Sequence, residues 1–206
     1  MYLSKSPTLL RILTRKNLVW SIPEAKKEIF LTFDDGPVPE ITPGVLSILS
    51  QYGAKATFFC VGDNVRKNPG VYQQVLDAGH ATGNHTFSHL NGWKTPLPEY
   101  LGDIENCSNY VKSSLFRPPY GRIRPSYIPY LRKDYRIIMW SVITGDFDRE
   151  ASPEKILDNA LRFTTGGSIV VFHDSLKAAD RMFYALPRFL ETFSNKGFTF
   201  PVLPGS

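Results

Sequence analysis

The spacing of two histidines, His85 and His89, is the first feature of the sequence that could serve chemistry. Side chains four residues apart lie on the same face of a helical turn, which suits two imidazole ligands of one metal ion. The same spacing arises by chance on helix surfaces, so it is weak evidence by itself. However, His85, His89 and His173 all follow predicted strands, whereas His80 lies at the start of one and is expected to be structural. This distribution favours a functional site.

A pair of adjacent carboxylates, Asp34 and Asp35, follows the apolar run 28–33 and leads into Gly36-Pro37. Asp-Gly and Gly-Pro are common turn sequences, and aspartate also caps helices, so a turn alone would explain the pair. Two carboxylates at the end of a buried strand are nevertheless costly unless they are paired or bound to a metal. One carboxylate with two imidazoles leaves a fourth coordination position open, which is the arrangement of a catalytic zinc site.

Three further polar residues follow predicted strands, and each has a structural alternative. Arg117 could belong to a rigid proline-rich turn, or its guanidinium could hold a carboxylate through paired hydrogen bonds. Asp146 could cap a helix, or it could fix the tautomer of a histidine and raise its basicity. His173 considered alone is better interpreted as a capped core histidine, but its position among the other strand-end residues favours the site.

The scaffold that would bring these residues together is a parallel α/β fold. Short, nearly continuous apolar runs alternate with helical segments, which is typical of parallel strands covered by helices. The predicted strands are 28–33, 56–61, 80–84, 115–116, 136–142 and 168–172, and the predicted helices are 43–52, 69–78, 98–113, 124–132, 153–163 and 180–195. The carboxyl ends of parallel strands share one face of a barrel or doubly wound sheet, so the polar residues are expected at one site.

Composition and charge narrow the functional classes. The chain has 206 residues, 42% of them hydrophobic and 21% charged, which suits one folded domain rather than a disordered chain. The net charge of +5 would favour an anionic partner, but the basic residues are scattered, so a solvated surface is the preferred interpretation. Nucleic-acid binding would rest on this charge alone and is not predicted. Cys60 and Cys107 form no C-x-x-C motif, so no cysteine zinc site or redox motif is indicated.

Residues 1–27 are interpreted as a polar lead-in, and residues 28–206 as the single catalytic domain. The lead-in lacks the unbroken apolar core of roughly 7–15 residues that a secretory signal needs, so no export signal is predicted. No apolar run approaches the length of a membrane span. The default expectation is therefore a cytoplasmic protein without a membrane span.

Four segments resemble, in chain order, the motifs of the polysaccharide deacetylase family, the NodB-homology group also called carbohydrate esterase family 4. They are Thr32-Phe33-Asp34-Asp35-Gly36-Pro37, His85-Thr86-Phe87-Ser88-His89, Arg117-Pro118-Pro119-Tyr120 and Val171-Phe172-His173. The first two together are highly specific, and the resemblance covers most of the chain beyond the lead-in. It implies an α/β fold, namely a distorted (β/α) barrel of about seven parallel strands in a single domain.

The resemblance also separates the roles of the two adjacent aspartates. Asp34 would be the general base that activates water, and Arg117 would orient it. Asp35, His85 and His89 would bind one divalent metal ion, zinc or alternatively cobalt. Many relatives are secreted or bound to the cell envelope, which conflicts with the expectation from the lead-in.

The remaining motif residues would complete the reaction. The resemblance implies that His173 is the general acid, with Asp146 as its partner, and that the backbone amide of Tyr120 helps to bind the oxyanion. Val171 would line the pocket for the acetyl methyl group. Phe147 and Tyr120 offer rings that could stack on sugars, although aromatic residues are equally common in cores.

One family motif, Asp-x-x-Asp-Trp, differs in this chain. Residues 143–147 read Ile-Thr-Gly-Asp-Phe, so Ile143 replaces the first aspartate and Phe147 replaces the tryptophan. The segment between His89 and Arg117 is also short for the family. The substrate groove is therefore expected to differ more than the chemistry.

The leading hypothesis is a metal-dependent hydrolase that removes N-acetyl groups from N-acetylhexosamine polymers or oligomers of the peptidoglycan or chitin type. Its partner would be an acetylated polysaccharide or oligosaccharide. One alternative is an O-acetyl esterase acting on xylan-type polysaccharide, whose ester leaving group needs less help from an acid. Another is a non-catalytic carbohydrate-binding protein with the same fold.

Overall fold

The computed structural model describes residues 3–205, so the outer limits of the predicted lead-in and domain, residues 1 and 206, lie outside the described residues. Seven strands form one parallel sheet in the order β5-β4-β3-β2-β1-β7-β6. They are β1 Phe30–Asp34, β2 Ala56–Cys60, β3 Ala81–Asn84, β4 Leu115–Phe116, β5 Arg136–Ile137, β6 Val142–Ile143 and β7 Ile169–His173. The sheet curls into a half-barrel, which confirms the predicted α/β fold and parallel topology.

Helices connect the strands and cover the sheet. They are α1 Thr8–Thr14, α2 Thr42–Gln51, α3 Gly62–Lys67, α4 Pro69–Asp77, α5 Leu97–Ser108, α6 Ile128–Leu131, α7 Pro153–Phe163 and α8 Ala179–Asn195. A proline lies in the first turn of α2, α4, α5 and α7, where its missing N–H costs no helical hydrogen bond. These four helices begin within one residue of the predicted positions, because proline marks their starts in the sequence.

The centre of the sheet supplies the rigid part of the core. Every residue of β1 and β2 is buried, and the rings of Phe58 and Phe172 stack on either side of Phe33, with centroids 5.0 and 6.0 Å away. His80, expected to be structural, accepts a hydrogen bond from the Ala56 amide at Nδ1, and burial lowers its pKa to about 4. This tightly packed centre holds the strand ends in a fixed position.

The predicted strand 136–142 is two short strands separated by residues 138–141. These residues carry the chain from β5 at one edge of the sheet to β6 at the other. Ile138 and Met139 remain buried in the crossing, which explains the continuous apolar pattern that predicted one strand. The half-barrel is thus open between its two edge strands.

The lead-in packs along this open side and is more ordered than predicted. The Ile143 amide donates to the Ser4 carbonyl at 2.9 Å, and the Met139 amide donates to the Val19 carbonyl at 2.7 Å. Trp20 is 7% exposed. These contacts satisfy backbone groups that the edge strands would otherwise leave unpaired. None of the helices within residues 3–205 is long and apolar enough to cross a bilayer.

Candidate active site

The carboxyl ends of the strands surround a cavity of about 690 Å³ that contains most of the polar residues singled out in the sequence. Its lining includes, from the described residues, Leu3, Asp34, Asp35, His85, His89, Tyr120, Gly121, Arg122, Trp140, Ile143, Phe147, His173, Ser175 and Lys177. Arg117 and Asp146 lie behind this lining, each bonded to a residue within it. These polar residues therefore lie together at the carboxyl ends of the strands, where the sequence analysis expected them.

Asp34 ends β1 and is held by a fully buried arginine. Nη1 of Arg117 donates to Asp34 Oδ1 at 2.6 Å and to the Thr32 hydroxyl at 2.8 Å. The other guanidinium nitrogens donate to the carbonyls of Ile138 and Met139. The guanidinium is thus fixed by neutral acceptors and one carboxylate. It aligns one oxygen of Asp34 and compensates its negative charge.

Asp35, His85 and His89 bring three ligand atoms within 4.8 Å of one another. Nε2 of His89 lies 3.2 Å from Asp35 Oδ1, and Nε2 of His85 lies 3.7 Å from the same atom. Nδ1 of His85 donates to the Arg117 carbonyl at 2.7 Å, which leaves the Nε2 lone pair directed at the cluster. The hydroxyl of Tyr120 lies 3.1 Å from His89 Nδ1 on the opposite side of that ring.

The protonation of Asp35 and His85 suits a cation. Burial lowers the pKa of His85 to about 4, so its imidazole is neutral at pH 7. Burial would raise the pKa of Asp35, but the hydrogen bond from His89 and the charges of the neighbouring histidines together hold it below its ordinary value. A carboxylate and a neutral imidazole are the forms that coordinate metals.

The segment 85–89 is not the helical turn that the spacing suggested. Thr86 and His89 have φ of 62° and 56°, in the left-handed region, and the segment is irregular. The turn is held from outside: Asn84 Oδ1 accepts from the Thr86 amide, and Asp103 Oδ2 accepts from the amides of Phe87 and Ser88. The two rings converge because of these contacts and not because of helical periodicity.

The turn after Asp34 depends on Asp174, which was not among the residues singled out in the sequence. Asp35 has φ of 84°, and the next amide, that of Gly36, donates to Asp174 Oδ1 at 3.0 Å. A Cβ on Gly36 would lie 1.9 Å from Asp174 Oδ2, so only glycine fits. The Thr42 hydroxyl also bonds Asp174, and burial raises the pKa of this carboxyl to about 8. Asp174 positions the loop that carries Asp35.

His173 and Asp146 form the second buried pair of the site. Asp146 Oδ1 lies 2.7 Å from His173 Nδ1, and its Oδ2 accepts from the His173 amide at 2.7 Å. Burial alone would lower the pKa of His173, but the charge and hydrogen bond of Asp146, with smaller contributions from Asp35 and Asp34, raise it to about 9. The ring is therefore protonated at neutral pH and has Nε2 available to donate.

The cavity rim differs from the expected one at one residue. Tyr120 and Phe147 line the cavity, and the Phe147 ring lies edge-on to His173 with centroids 5.2 Å apart. Val171 is fully buried within β7 and does not line the cavity, contrary to the prediction. Its register neighbour on β6, Ile143, contributes to the lining instead. The reason is that Val171 lies two residues inside the strand end.

Two exposed cations on the rim, Arg122 and Lys177, were not singled out in the sequence. Both line the cavity, and each lies beside an aromatic ring, Arg122 over Trp93 and Lys177 over Phe147. Neither forms an ion pair with a carboxylate among residues 3–205. Both lie within four residues of a motif residue in the sequence, Arg122 after Tyr120 and Lys177 after His173, and this proximity could have indicated their place on the rim.

A sequence model of the family described as Polysaccharide deacetylase matches residues 21–135. The chain belongs to this family. As a polysaccharide deacetylase it is a hydrolase. A peptidoglycan-N-acetylglucosamine deacetylase from Bacillus cereus is 34% identical over 191 residues, which cover 89% of each chain. A chitooligosaccharide deacetylase from Azorhizobium caulinodans is 34% identical over 164 residues, covering 74% of this chain and 76% of that one.

The deacetylase has the same fold as a relative of known structure. The crystal structure of the Bc1960 peptidoglycan N-acetylglucosamine deacetylase, in complex with 4-naphthalen-1-yl-N-oxidanyl-benzamide, superposes with a TM-score of 0.86. The two chains are 32% identical, and the match covers 96% of each. This agreement spans the lead-in as well as the barrel, in keeping with the packing of the lead-in against β5 and β6.

The donor set of the deacetylase fits a divalent cation. Its first ligand is a carboxylate and the other two are imidazoles, the three atoms lie within 4.8 Å, and the His85 ring is oriented by a backbone carbonyl. Such a three-residue set leaves room for water or substrate on the ion.

Proposed function

We propose that this deacetylase removes N-acetyl groups from N-acetylhexosamine polymers or oligomers, with Asp34 as the base that activates water. The observation that carries the proposal is the arrangement within one cavity of two buried pairs, Arg117 with Asp34 and Asp146 with His173, beside the metal-ligand cluster. The names of the relatives from Bacillus cereus and Azorhizobium caulinodans favour an N-acetylated glycan over an O-acetylated one.

Asp35, His85 and His89 would hold the metal, and zinc suits one carboxylate and two imidazoles best, with cobalt as the alternative. A bound divalent ion supplies a Lewis acid that polarises the acetyl carbonyl and lowers the pKa of water. The protein's part is to bring one carboxylate and two imidazoles together in advance. The bond from His85 to the Arg117 carbonyl also ties the ligand cluster to the residue that holds the base.

Asp34 takes the proton from the attacking water. Arg117 occupies Oδ1, which leaves Oδ2 as the oxygen that accepts this proton. The guanidinium stays in place throughout, because Thr32 and the carbonyls of Ile138 and Met139 hold its other N–H groups. A base fixed in this way loses little conformational freedom when the reaction begins.

His173 donates the proton that the leaving nitrogen requires. An amine leaves poorly without a proton, so amide hydrolysis needs an acid on the leaving-group side. Asp146 holds Nδ1 of His173, which directs Nε2 as the donor, and the raised pKa keeps the ring protonated. The backbone amide of Tyr120 helps to bind the oxyanion, and Ile143 and Phe147 form the apolar walls of the pocket.

The rim cations favour a peptidoglycan-type polymer over a neutral chitin-type one. Arg122 and Lys177 line the cavity as exposed charges, and a glycan that carries carboxylates would meet them there. We expect Arg122→Gln with Lys177→Gln to raise KM about tenfold for peptidoglycan strands and to leave chitin oligomers almost unchanged. Lys112→Gln, an exposed lysine outside the cavity, is the control. Equal losses on both substrates would show that the two cations do not select the polymer.

The decisive experiment compares the adjacent aspartates. Asp34→Asn should lower acetate release from N-acetylglucosamine oligomers about a thousandfold with zinc added, while zinc content by elemental analysis stays unchanged. Asp35→Asn should lose both activity and zinc. Undiminished acetate release by Asp34→Asn would remove it as the base. The O-acetyl esterase alternative stays a prediction. His173→Ala, assayed on both amide and ester substrates, tests it. Loss of acetate release from amides alone would support His173 as the acid that an amine leaving group needs.

A further inference from the structure

The helix α1 presents an apolar face to solvent. Leu9, Leu10, Ile12 and Leu13 are 69%, 44%, 55% and 72% exposed. Because these positions fall on one side of a helical turn, they form one patch, which we name the α1 apolar face. Single exposed apolar residues are ordinary on a protein surface, but four together on a seven-residue helix indicate a contact with another molecule.

The polar side of α1 faces the protein and anchors the helix. Nη2 of Arg11 donates to the Ser21 hydroxyl at 2.8 Å, and Nε1 of the buried Trp20 donates to the Thr14 hydroxyl at 2.8 Å. A surface helix of a globular protein normally has the opposite orientation, with its apolar side buried. These two hydrogen bonds hold α1 in the inverted orientation, so the apolar face is a fixed feature of the surface.

The net positive charge of the protein lies in the chain segment that contains this helix. Residues 1–27 hold six of the 24 basic residues and one of the 19 acidic residues, a net of +5. Residues 28–206 hold eighteen of each and are neutral. Lys5, Arg15 and Lys16 flank α1 and are exposed. The overall charge of +5, which the sequence alone attributed to a solvated surface, therefore belongs to the segment that carries the apolar face.

We propose that the α1 apolar face and its flanking basic residues bind the surface of a membrane that contains anionic lipid. An apolar helical face bordered by lysine and arginine is the arrangement that lies in the interface of such a membrane. Apolar side chains enter the headgroup boundary while the cations contact lipid phosphates. A second copy of the chain fits less well, because pairing the α1 faces would bring two segments of charge +5 together.

The position of α1 leaves the cavity accessible when the helix is bound. Ser21, which anchors Arg11, bridges to Ser168 immediately before β7, whereas His173 ends β7 in the cavity. The two ends of this strand are about 16 Å apart. A membrane at α1 therefore lies near the amino ends of the strands, and a polymer can still enter from the carboxyl ends.

The test is co-sedimentation of the full chain with vesicles at about 0.1 M salt. Vesicles of phosphatidylglycerol and phosphatidylcholine in equal parts should bind the protein, and vesicles of phosphatidylcholine alone should bind it much more weakly. Lys5, Arg15 and Lys16 changed together to Gln should lower the partition coefficient about 100-fold. Leu9→Ser with Leu13→Ser should lower it at least tenfold while the Tm stays unchanged, because both side chains are exposed.

Leu176→Ser is the matched control, because Leu176 is 68% exposed but lies away from α1. It should bind vesicles like the wild type. Absence of wild-type binding to the anionic vesicles, or equal loss in Leu176→Ser and the α1 variant, would overturn the proposal. Light scattering identifies the competing partner: a dimer that Leu9→Ser with Leu13→Ser converts to a monomer, without vesicle binding, would assign the face to a second copy of the chain.

Discussion

The floor and the rim of the cavity are built in different ways. On the floor, Asp34 and Asp146 are almost fully buried, and each is bonded to one partner, Arg117 or His173, at 2.6–2.7 Å. On the rim, Tyr120 is 60% exposed, and the ammonium group of Lys177 lies over the ring of Phe147. Buried charges require fixed partners, whereas exposed side chains do not. We therefore expect floor residues to control stability and kcat, and rim residues to control KM and substrate choice.

The largest effect should follow loss of the buried arginine. Arg117→Met leaves Asp34 buried without its cation, so we expect a loss of about 3–5 kcal/mol in the free energy of unfolding. Acetate release should fall at least 100-fold, because Asp34, the proposed base, loses its orientation. Chemical denaturation and a kinetic assay measure the two effects.

The surface pair Arg66 and Asp63 provides the control for this prediction. Its N–O distance is 2.7 Å, almost the same as on the floor, but its side chains are 49% and 28% exposed. Water solvates such charges, so Arg66→Met should change the Tm little. If the two variants lost similar stability, burial would not be what distinguishes the floor from the surface.

The second effect concerns the pH dependence of His173, the proposed acid. The pKa of His173 is raised to about 9, so its proton is present at neutral pH and is lost as the pH rises through 9. Asp146→Asn removes the negative charge that counteracts the effect of burial on the pKa of His173, so this pKa falls. The alkaline limb of the kcat profile should move down by about two pH units, with about tenfold loss of rate at pH 8. An unmoved limb would show that another group sets it.

The floor was largely predictable because its residues follow strands with clear apolar patterns. The runs 28–33, 56–61 and 168–172 predicted β1, β2 and β7 to within two residues, and Asp34 and His173 end two of those strands. Strand ends of a parallel sheet converge by topology alone. The proximity of the floor residues could therefore be expected without knowledge of any side-chain contact.

The details that the sequence did not predict depend on contacts between distant segments. The conformation of residues 85–89 is set by hydrogen bonds to Asp103, and that of Gly36 by Asp174, which lies 138 residues away. The helix α3 begins Gly-Asp-Asn, residues of low helix propensity, and is supported by the Thr86 and Phe87 carbonyls. No local pattern encodes such partners.

The third effect tests a residue that joins the rim to the floor. Tyr120 is exposed, but its hydroxyl lies 3.1 Å from Nδ1 of His89. Tyr120→Phe keeps the ring and removes this contact, so metal affinity should fall about tenfold, with KM for substrate nearly unchanged. Competition with a metal chelator measures the affinity. If KM rose instead with metal affinity intact, Tyr120 would act only as a rim residue.

The smallest effect is expected at Phe147, where the sequence analysis predicts a departure from the tryptophan of the family motif. The Phe147 ring already forms a wall beside His173, and it lines a cavity of about 690 Å³. Phe147→Trp should therefore change KM no more than about threefold and leave kcat within a factor of two, whereas Phe147→Ala should raise KM about tenfold through lost apolar contact. Steady-state kinetics on N-acetylglucosamine oligomers measures both. A large fall in kcat for Phe147→Trp would mean that this ring positions His173. Phe147 would then belong to the floor of the cavity and not to the rim.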